Sequence, residues 1–312
     1  MQTLKDGDNI HQLFHGDCLD VMQDIPAGSV DMIFADLPYG TTHNDWDKRI
    51  PLEDHVMING EAISQDCFLL AQYRVGVPYA TAMAKFREQK RPGRWSHYLR
   101  IIKDNGCIAL FAQTPFDTEL SATGKKWLRY EWIIKKTRAT GHLNAKKMPM
   151  KAHEKILIFY KKPPRYYPQM TGGHPPVHSY TQKGDSSPIY KTTKEIHGGG
   201  STERYPVDVL TFKWDTRTSA LHPNQKPVDA LEYFIRTYTA PGDTVMDNCM
   251  GSGSTGVACV HTDRWFIGIE KSNKIYSGAV SRIQNEIRAK EEGGYTNVER
   301  DCSFIQCKFE GI

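Results

Sequence analysis

Only 65 residues follow Asp247, and that number constrains the fold more than any other feature. Residues 243–259 read Asp-Thr-Val-Met-Asp-Asn-Cys-Met-Gly-Ser-Gly-Ser-Thr-Gly-Val-Ala-Cys. The pattern is a short buried strand, a glycine loop matching G-x-G-x-x-G through Gly251, Gly253 and Gly256, and then a helix. Glycines at such a turn let the backbone approach a bound cofactor, and the helix start at Ser254-Thr255 offers unpaired N–H groups to a carboxylate or phosphate. The run Trp265 to Glu270 reads as the next parallel strand, ending in an acid placed for ribose hydroxyls. A dinucleotide dehydrogenase would show the same two features. The residues after Asp247 nevertheless cannot supply a whole doubly wound sheet, so its remaining strands must come from upstream.

Strand-like runs do occur upstream, at Leu13-Phe14, Val30 to Ala35, Cys107 to Ala112, Tyr130 to Ile134 and Ile156 to Tyr160, with helical patterns between several of them. The order is therefore permuted. The strand at Thr244 to Asp247 is expected to lie centrally beside the strand at Val30 to Asp36. The loops after both would then meet at the topological switch point, where open α/β sheets bind ligands.

The loop after Val30 to Ala35 is Asp36-Leu37-Pro38-Tyr39. It puts a carboxylate, a rigid turn and an aromatic face at a strand's carboxyl end. The exocyclic amine of a nucleobase is a poor nucleophile because its lone pair is delocalised into the ring. A carboxylate and a backbone carbonyl can accept its two N–H bonds and draw the nitrogen toward tetrahedral geometry, while proline fixes the loop and tyrosine stacks on an extruded base. Four residues alone also fit a strand followed by an ordinary turn.

Together the two motifs resemble the β class of S-adenosylmethionine-dependent DNA amino-methyltransferases, whose Asp-Pro-Pro-Tyr motif precedes the recognition region and whose cofactor loop comes last. Leu37 replaces the first proline, which is tolerable if that position contributes only its carbonyl. The resemblance covers most of the chain and extends to His15-Gly16-Asp17-Cys18, Lys136 to Lys147, Ala152 to Phe159, and His222-Pro223-Asn224-Gln225-Lys226-Pro227 before a helix at Val228 to Tyr238. It implies a doubly wound, mostly parallel Rossmann-like α/β sheet, circularly permuted, with an embedded target-recognition region. Residues 1–160 would form the catalytic half, 161–220 the recognition region and 221–312 the cofactor half. One departure is an insert at about 54–94, where roughly 40 residues exceed a crossover of about 30 or fewer.

The resemblance also implies site residues. Asp36, Leu37, Pro38 and Tyr39 would act on the target amine. S-adenosylmethionine would lie over Met250, Gly251, Ser252, Gly253, Ser254 and Thr255, with Asp247 and Asp36 nearby, its ribose on Glu270 and its adenine near Asp17 and Cys18. His222, Asn224 and Lys226 belong to the expected cofactor clamp, Lys226 pairing with the cofactor carboxylate or lying at the rim. No metal is expected, since neither His222 nor His153 belongs to a ligand cluster.

Charge distribution fits a nucleic-acid partner. The formal total is +4, yet residues 135–165 hold ten Lys or Arg against Glu154 alone, leaving the rest of the chain at −5. Such a segment can track phosphates, and a solvated loop is the plainer alternative. Lys136, Arg138, His142, Asn144, Lys146, Lys147 and Lys151 are the residues expected to meet double-stranded DNA. Residues 161–220, rich in Pro, Gly, Ser, Thr and Tyr, read as irregular recognition loops, with an unstructured linker competing over Gln182 to Ser201.

The seven cysteines lack metal or disulfide spacing and read as free thiols. The absence of a Pro-Cys dipeptide favours amine methylation over carbon methylation. No signal peptide or apolar run near about 18 residues is present, so a cytoplasmic bacterial or phage protein is expected. The expected activity is adenine-N6 methylation, because the resemblance associates an opening Asp with adenine and an opening Ser with cytosine N4. Cytosine N4, a nicotinamide oxidoreductase and a silent DNA-binding module remain alternatives. A homodimer and a cognate restriction endonuclease stay open as partners.

Overall fold

A computed structural model describes residues 1–40, 47–182, 196–213 and 225–293. The chain opens with β1 (Gln2–Asp6), β2 (Asn9–His15), α1 (Cys18–Asp24) and β3 (Val30–Asp36). The insert follows as a hairpin of β4 (His55–Ile58) and β5 (Glu61–Ser64) with α2 (Gln65–Arg74) and α3 (Tyr79–Gln89). Val56, Phe68 and Phe86 give it a small core of its own. Next come α4 (Arg94–Ile101), β6 (Ile102–Ala112), α5 (Phe116–Thr123), β7 (Leu128–Thr140) and β8 (Lys151–Phe159). A short antiparallel pair, β9 (Tyr180–Gln182) and β10 (Ile196–Gly198), precedes β11 (Val209–Phe212). The chain continues with α6 (Val228–Tyr238), β12 (Thr244–Asp247), α7 (Ser254–His261), β13 (Trp265–Glu270) and α8 (Asn273–Glu291).

Among the described residues, nine strands make one sheet in the order β1-β2-β13-β12-β3-β6-β8-β7-β11. From β2 to β6 all pairs are parallel, and among the nine only β1 and β8 run against the rest. The expected permutation is present, because the late strand β12 pairs with the early strand β3. Connections leave these neighbours in opposite directions, α7 leading to β13 on one side and the insert and α4 leading to β6 on the other, which makes β12/β3 the switch point.

The apolar runs are continuous because both faces of the sheet are covered. Side chains alternate across a strand, so Met32 and Phe34 of β3 join Cys107, Ala109 and Phe111 of β6 in the core that includes α6, α7 and α8 residues. Ile33 and Ala35 join Ile108, Leu110 and Ala112 in the core that includes residues of α1, α4 and α5. Helix α6 is buried on nearly every side, and its Tyr238 hydroxyl accepts the Trp132 indole N–H at 2.8 Å.

Two expectations shift. Residues 161–220 are not wholly loop, because Val209–Phe212 pairs in parallel with β7 and finishes the main sheet. The Gln182 to Ser201 linker reading gives way at Ile196–Gly198 to strand β10, while 183–195 lie outside the described residues.

Candidate active site

Strands β3, β12 and β13 end on one edge of the sheet, so their last residues, Asp36, Asp247 and Glu270, come to the same side. Asp247 is buried, accepting from the Cys249 N–H at 3.0 Å and the Thr255 hydroxyl at 2.7 Å. Burial pushes its carboxyl up to about 7, against the pull of those two bonds. The Ser252 and Ser254 hydroxyls lie 3.3 and 3.0 Å from the Arg282 guanidinium of α8, and the Met250 side chain is buried. Thus the side chains of Asp247, Met250, Ser252, Ser254 and Thr255 turn inward and shape the loop.

The loop turns its backbone outward. Gly251 has φ +51°, and a Cβ there would meet nothing nearer than the Cys249 carbonyl at 3.9 Å, so that side is open. Gly253 has φ +77° and caps α7, where a Cβ would come within 3.2 Å of Ala279 and Ile283. Gly256 serves packing rather than ligand approach, because a Cβ would strike Phe266 and Ile283. Glu270 accepts the Gly251 N–H at 3.2 Å on one oxygen and the Ser272 N–H at 2.7 Å on the other, and it remains partly exposed beside the open glycine.

Asp17 caps α1 through the Leu19 N–H at 3.0 Å and pairs with Lys271 at 2.9 Å. The Cys18 thiol is buried and lowered from its ordinary value by a hydrogen bond with Cys249. Beside these thiols lies Arg94, fully buried at the start of α4 and absent from the sequence-based set. Nothing in its surroundings in the sequence distinguishes it from a surface arginine.

Among the described residues the Asp36 carboxylate has two partners. Its Oδ1 accepts the Tyr39 hydroxyl at 2.7 Å, and its Oδ2 lies 3.0 Å from the Lys226 ammonium. The Tyr39 ring packs on Phe116 with centroids 5.3 Å apart. Lys226 also lies 2.9 Å from Glu154, whose other oxygen is 2.7 Å from Lys136. The four charges alternate along this chain. Burial opposes charge on Glu154, but the two lysines hold its carboxyl below the ordinary value, and Asp36 and Glu154 likewise raise Lys226 against burial. Lys226 therefore departs from the rim reading, being only 11% exposed along its side chain and paired with Asp36. Lys136, expected on the DNA surface, is buried against Glu154. Leu37 is also buried, its side chain in the core. His222 and Asn224 lie outside the described residues.

The basic segment divides. Lys155 pairs with Asp117 and Glu131, Lys161 and Lys162 with Asp104, and Arg165 with Asp243. Lys135, Arg138, Lys146, Lys147 and Lys151 are exposed without a carboxylate partner among the described residues, as a phosphate-facing surface requires. With His142 and Asn144 they lie on the outer part of the β7–β8 arm, at the edge where β3 ends.

A family model described as DNA methylase, of the N6/N4 kind, matches residues 30–281. Relatives include the Type II methyltransferase M.Cfr9I of Citrobacter freundii, 27% identical with 88% of each chain covered. The DNA adenine methyltransferase YhdJ of Escherichia coli K12 is 25% identical over 89% of this chain and 84% of that one. Among solved structures, the PvuII DNA methyltransferase (cytosine-N4-specific) superposes with a TM-score of 0.52 at 14% identity, covering 92% of this chain and 94% of that one. The M1.HpyAVI–SAM complex does so with a TM-score of 0.50 at 20% identity, covering 87% and 98%. Both share the fold.

Proposed function

The chain belongs to the N6/N4 DNA methylase family, and from that premise we propose that it transfers a methyl group from S-adenosylmethionine to the N6 amine of adenine within a specific DNA sequence. The carrying observation is the Asp36 carboxylate, held at the switch point between Tyr39 and Lys226 on the edge where the glycine loop opens. The open side of Gly251, the start of α7 and the partly exposed Glu270 carboxylate fit S-adenosylmethionine, which is the cofactor. Glu270 would accept from its ribose hydroxyls, with Asp17 and Cys18 near the adenine.

When bound, the cofactor supplies an electrophilic methyl group on a cationic sulfonium. Displacement there needs alignment and a dry pocket more than a strong base. Asp36 and the Leu37 carbonyl accept the target amine's two N–H bonds, and Pro38 holds the turn that brings them together. The Tyr39 ring stacks on the extruded base. Lys226, anchored by Glu154, keeps the Asp36 carboxylate oriented. The proton released by the methylated amine leaves by way of Asp36, whose side chain is 30% exposed.

Adenine is favoured by the Asp that opens the motif, and YhdJ carries an adenine name. The Type II names of other relatives support a place in restriction-modification, with a cognate endonuclease as partner. The test is tritium transfer from labelled cofactor to DNA, followed by hydrolysis to nucleosides. Label in N6-methyladenine supports the reading, label in N4-methylcytosine moves it to the other amine, and no transfer leaves a silent DNA-binding module. Asp36→Ala should abolish transfer while leaving cofactor affinity, read by calorimetry, nearly intact. A variant retaining a tenth or more of wild-type turnover, about 1.4 kcal/mol in barrier, contradicts the role given to Asp36.

A further inference from the structure

Leu143 is 99% exposed, an extreme for a large apolar side chain. It stands at the crest of the β7–β8 arm, in a 3₁₀ turn over His142–Asn144 that begins at Gly141 with φ +91°. The crest is ordered by consecutive backbone bonds. Asn144 donates to Gly141 at 2.9 Å, Ala145 to His142 at 3.1 Å and Lys147 to Asn144 at 2.8 Å. The fold therefore presents the leucine outward on a defined turn. Met148 and Met150, 54% and 37% exposed, follow it on the same crest.

The sheet register fixes where the crest stands. Asp36 is level with Phe111, Phe111 with Ile156, and Ile156 with Trp132. From Trp132 to the end of β7 at Thr140 the strand continues beyond the level of Asp36 by up to about 25 Å, and the arm stands three strand spacings, about 14 Å, to the side. A register shift between Lys135 and Thr140 bends it on the way. A two-stranded ribbon of this kind fits the major groove of B-DNA. The side chains flanking the apolar crest include Lys135, Arg138, Lys146, Lys147 and Lys151, exposed cations with no carboxylate partner among the described residues. A cationic ribbon with a bare leucine at its tip matches a duplex, whose phosphates would meet the cations and whose base stack would take the apolar group.

We propose that Leu143 is a wedge that enters the base stack and holds open the space left by the extruded target base. The proposal rests on the DNA methyltransferase reading. Insertion replaces part of the stacking lost on extrusion, so it lowers the cost of presenting the base to Asp36 without touching the reacting atoms.

The test uses the full chain and a duplex carrying its methylated sequence, mapped first from the DNA of the expression host. Leu143 packs against almost nothing in the fold, so Leu143→Ala should keep wild-type stability and cofactor affinity. On the fully paired duplex its single-turnover methylation should fall about ten-fold or more, and a fluorescent base analogue at the target should brighten less, because unstacking is no longer compensated. Leu143→Met should remain near wild type. On a duplex with an abasic position opposite the target base, where extrusion costs little, wild type and Leu143→Ala should agree. Equal rates of the two on paired DNA, or a defect of the same size on the abasic duplex, would overturn the wedge. A wild type that methylates no DNA would overturn the methyltransferase reading together with this one, whereas an active wild type indifferent to Leu143 overturns the wedge alone.

Discussion

The hydroxyl of Tyr39 donates to Asp36 Oδ1 at 2.7 Å, so the residue expected only to stack on the base also holds the carboxylate expected to bind its amine. Burial and the neighbouring Asp36 push the Tyr39 phenol well above its ordinary value, so it remains a donor throughout the working range. From the sequence alone Tyr39→Phe would be nearly silent. With this bond, Tyr39→Phe should slow methyl transfer by about ten-fold to a hundred-fold, since hydrogen bonds to charged groups contribute roughly 1.5–3 kcal/mol. Tyr39→Ala should lose more, stacking adding about 1–3 kcal/mol. Single-turnover rates of the two variants decide it. A Phe variant at the wild-type rate removes the hydroxyl from the mechanism, and equal losses remove stacking.

Lys226 links the reacting loop to the buried interior. Lys226→Met should leave Glu154 with Lys136 alone and Asp36 without its ammonium, costing about 3 kcal/mol in stability, as expected for a broken buried pair. Lys226→Arg should recover most of that stability. In both variants turnover should fall further than cofactor affinity. If calorimetry shows instead that cofactor binding is lost while the rate at saturation survives, Lys226 serves the cofactor carboxylate.

Glu270 should govern cofactor affinity. Its two oxygens hold the Gly251 and Ser272 N–H groups, so Glu270→Ala removes both a ribose acceptor and support for the loop. The dissociation constant should rise by about ten-fold to a hundred-fold, the range for loss of one strong acceptor, with the melting temperature changed little. Gly253→Val should also weaken binding, through strain at φ +77° and crowding against Ala279. Unchanged affinity in Glu270→Ala would detach this acid from the cofactor.

The fold was largely legible because its signals are local. Continuous apolar runs and the glycine loop marked the strands of the parallel core, and the late place of that loop, after the other strand-like runs, indicated the permutation that the β12–β3 pairing bears out. Helix α6 falls at Val228–Tyr238, the span its pattern indicated. The Asp36 motif also reads directly, since its residues are contiguous. Its support was not legible, because Asp36, Lys226, Glu154 and Lys136 come from strands and a loop up to 190 residues apart and meet only through sheet order. A lysine buried by such a network has the same letter as one facing DNA, which is why Lys136 was misplaced. Strand β11 was missed because four residues in a Pro- and Gly-rich region carry almost no periodicity.

A pH effect on stability should arise far from the reacting edge. His261 of α7 lies 2.6 Å from Glu232 and 2.7 Å from Glu286, and Arg236 also pairs with Glu232 at 3.3 Å. Burial opposes protonation of His261, but the two carboxylates raise it above the ordinary value. A raised histidine adds stability that is complete below about pH 6.5 and is lost as pH rises through its folded value. Urea midpoints measured from pH 6 to pH 9 should therefore fall in the wild type more than in His261→Gln. Parallel curves for the two proteins would show that His261 is not the titrating group.

The last prediction separates positioning on DNA from reading its sequence. Lys146 and Lys147 are exposed and free of carboxylate partners among the described residues, so they can meet phosphates, which carry no sequence information. Neutralising both as Lys146→Gln and Lys147→Gln should weaken binding to every DNA sequence alike. The dependence of affinity on salt should also flatten, by a slope of up to roughly 0.9 for each phosphate that is no longer neutralised. Replacing residues 165–215 with the matching region of a relative should instead move the methylated sequence and keep cofactor affinity. Strand β11 lies inside that span and pairs with β7, so the exchanged segment must preserve a strand at 209–212 for the sheet edge to close. Binding titrations at several salt concentrations and sequencing of modified host DNA read the two effects independently. If the glutamines changed which sequence is modified, or if the exchange left it unaltered, recognition would have to be assigned to the arm instead of to the region between β8 and α6.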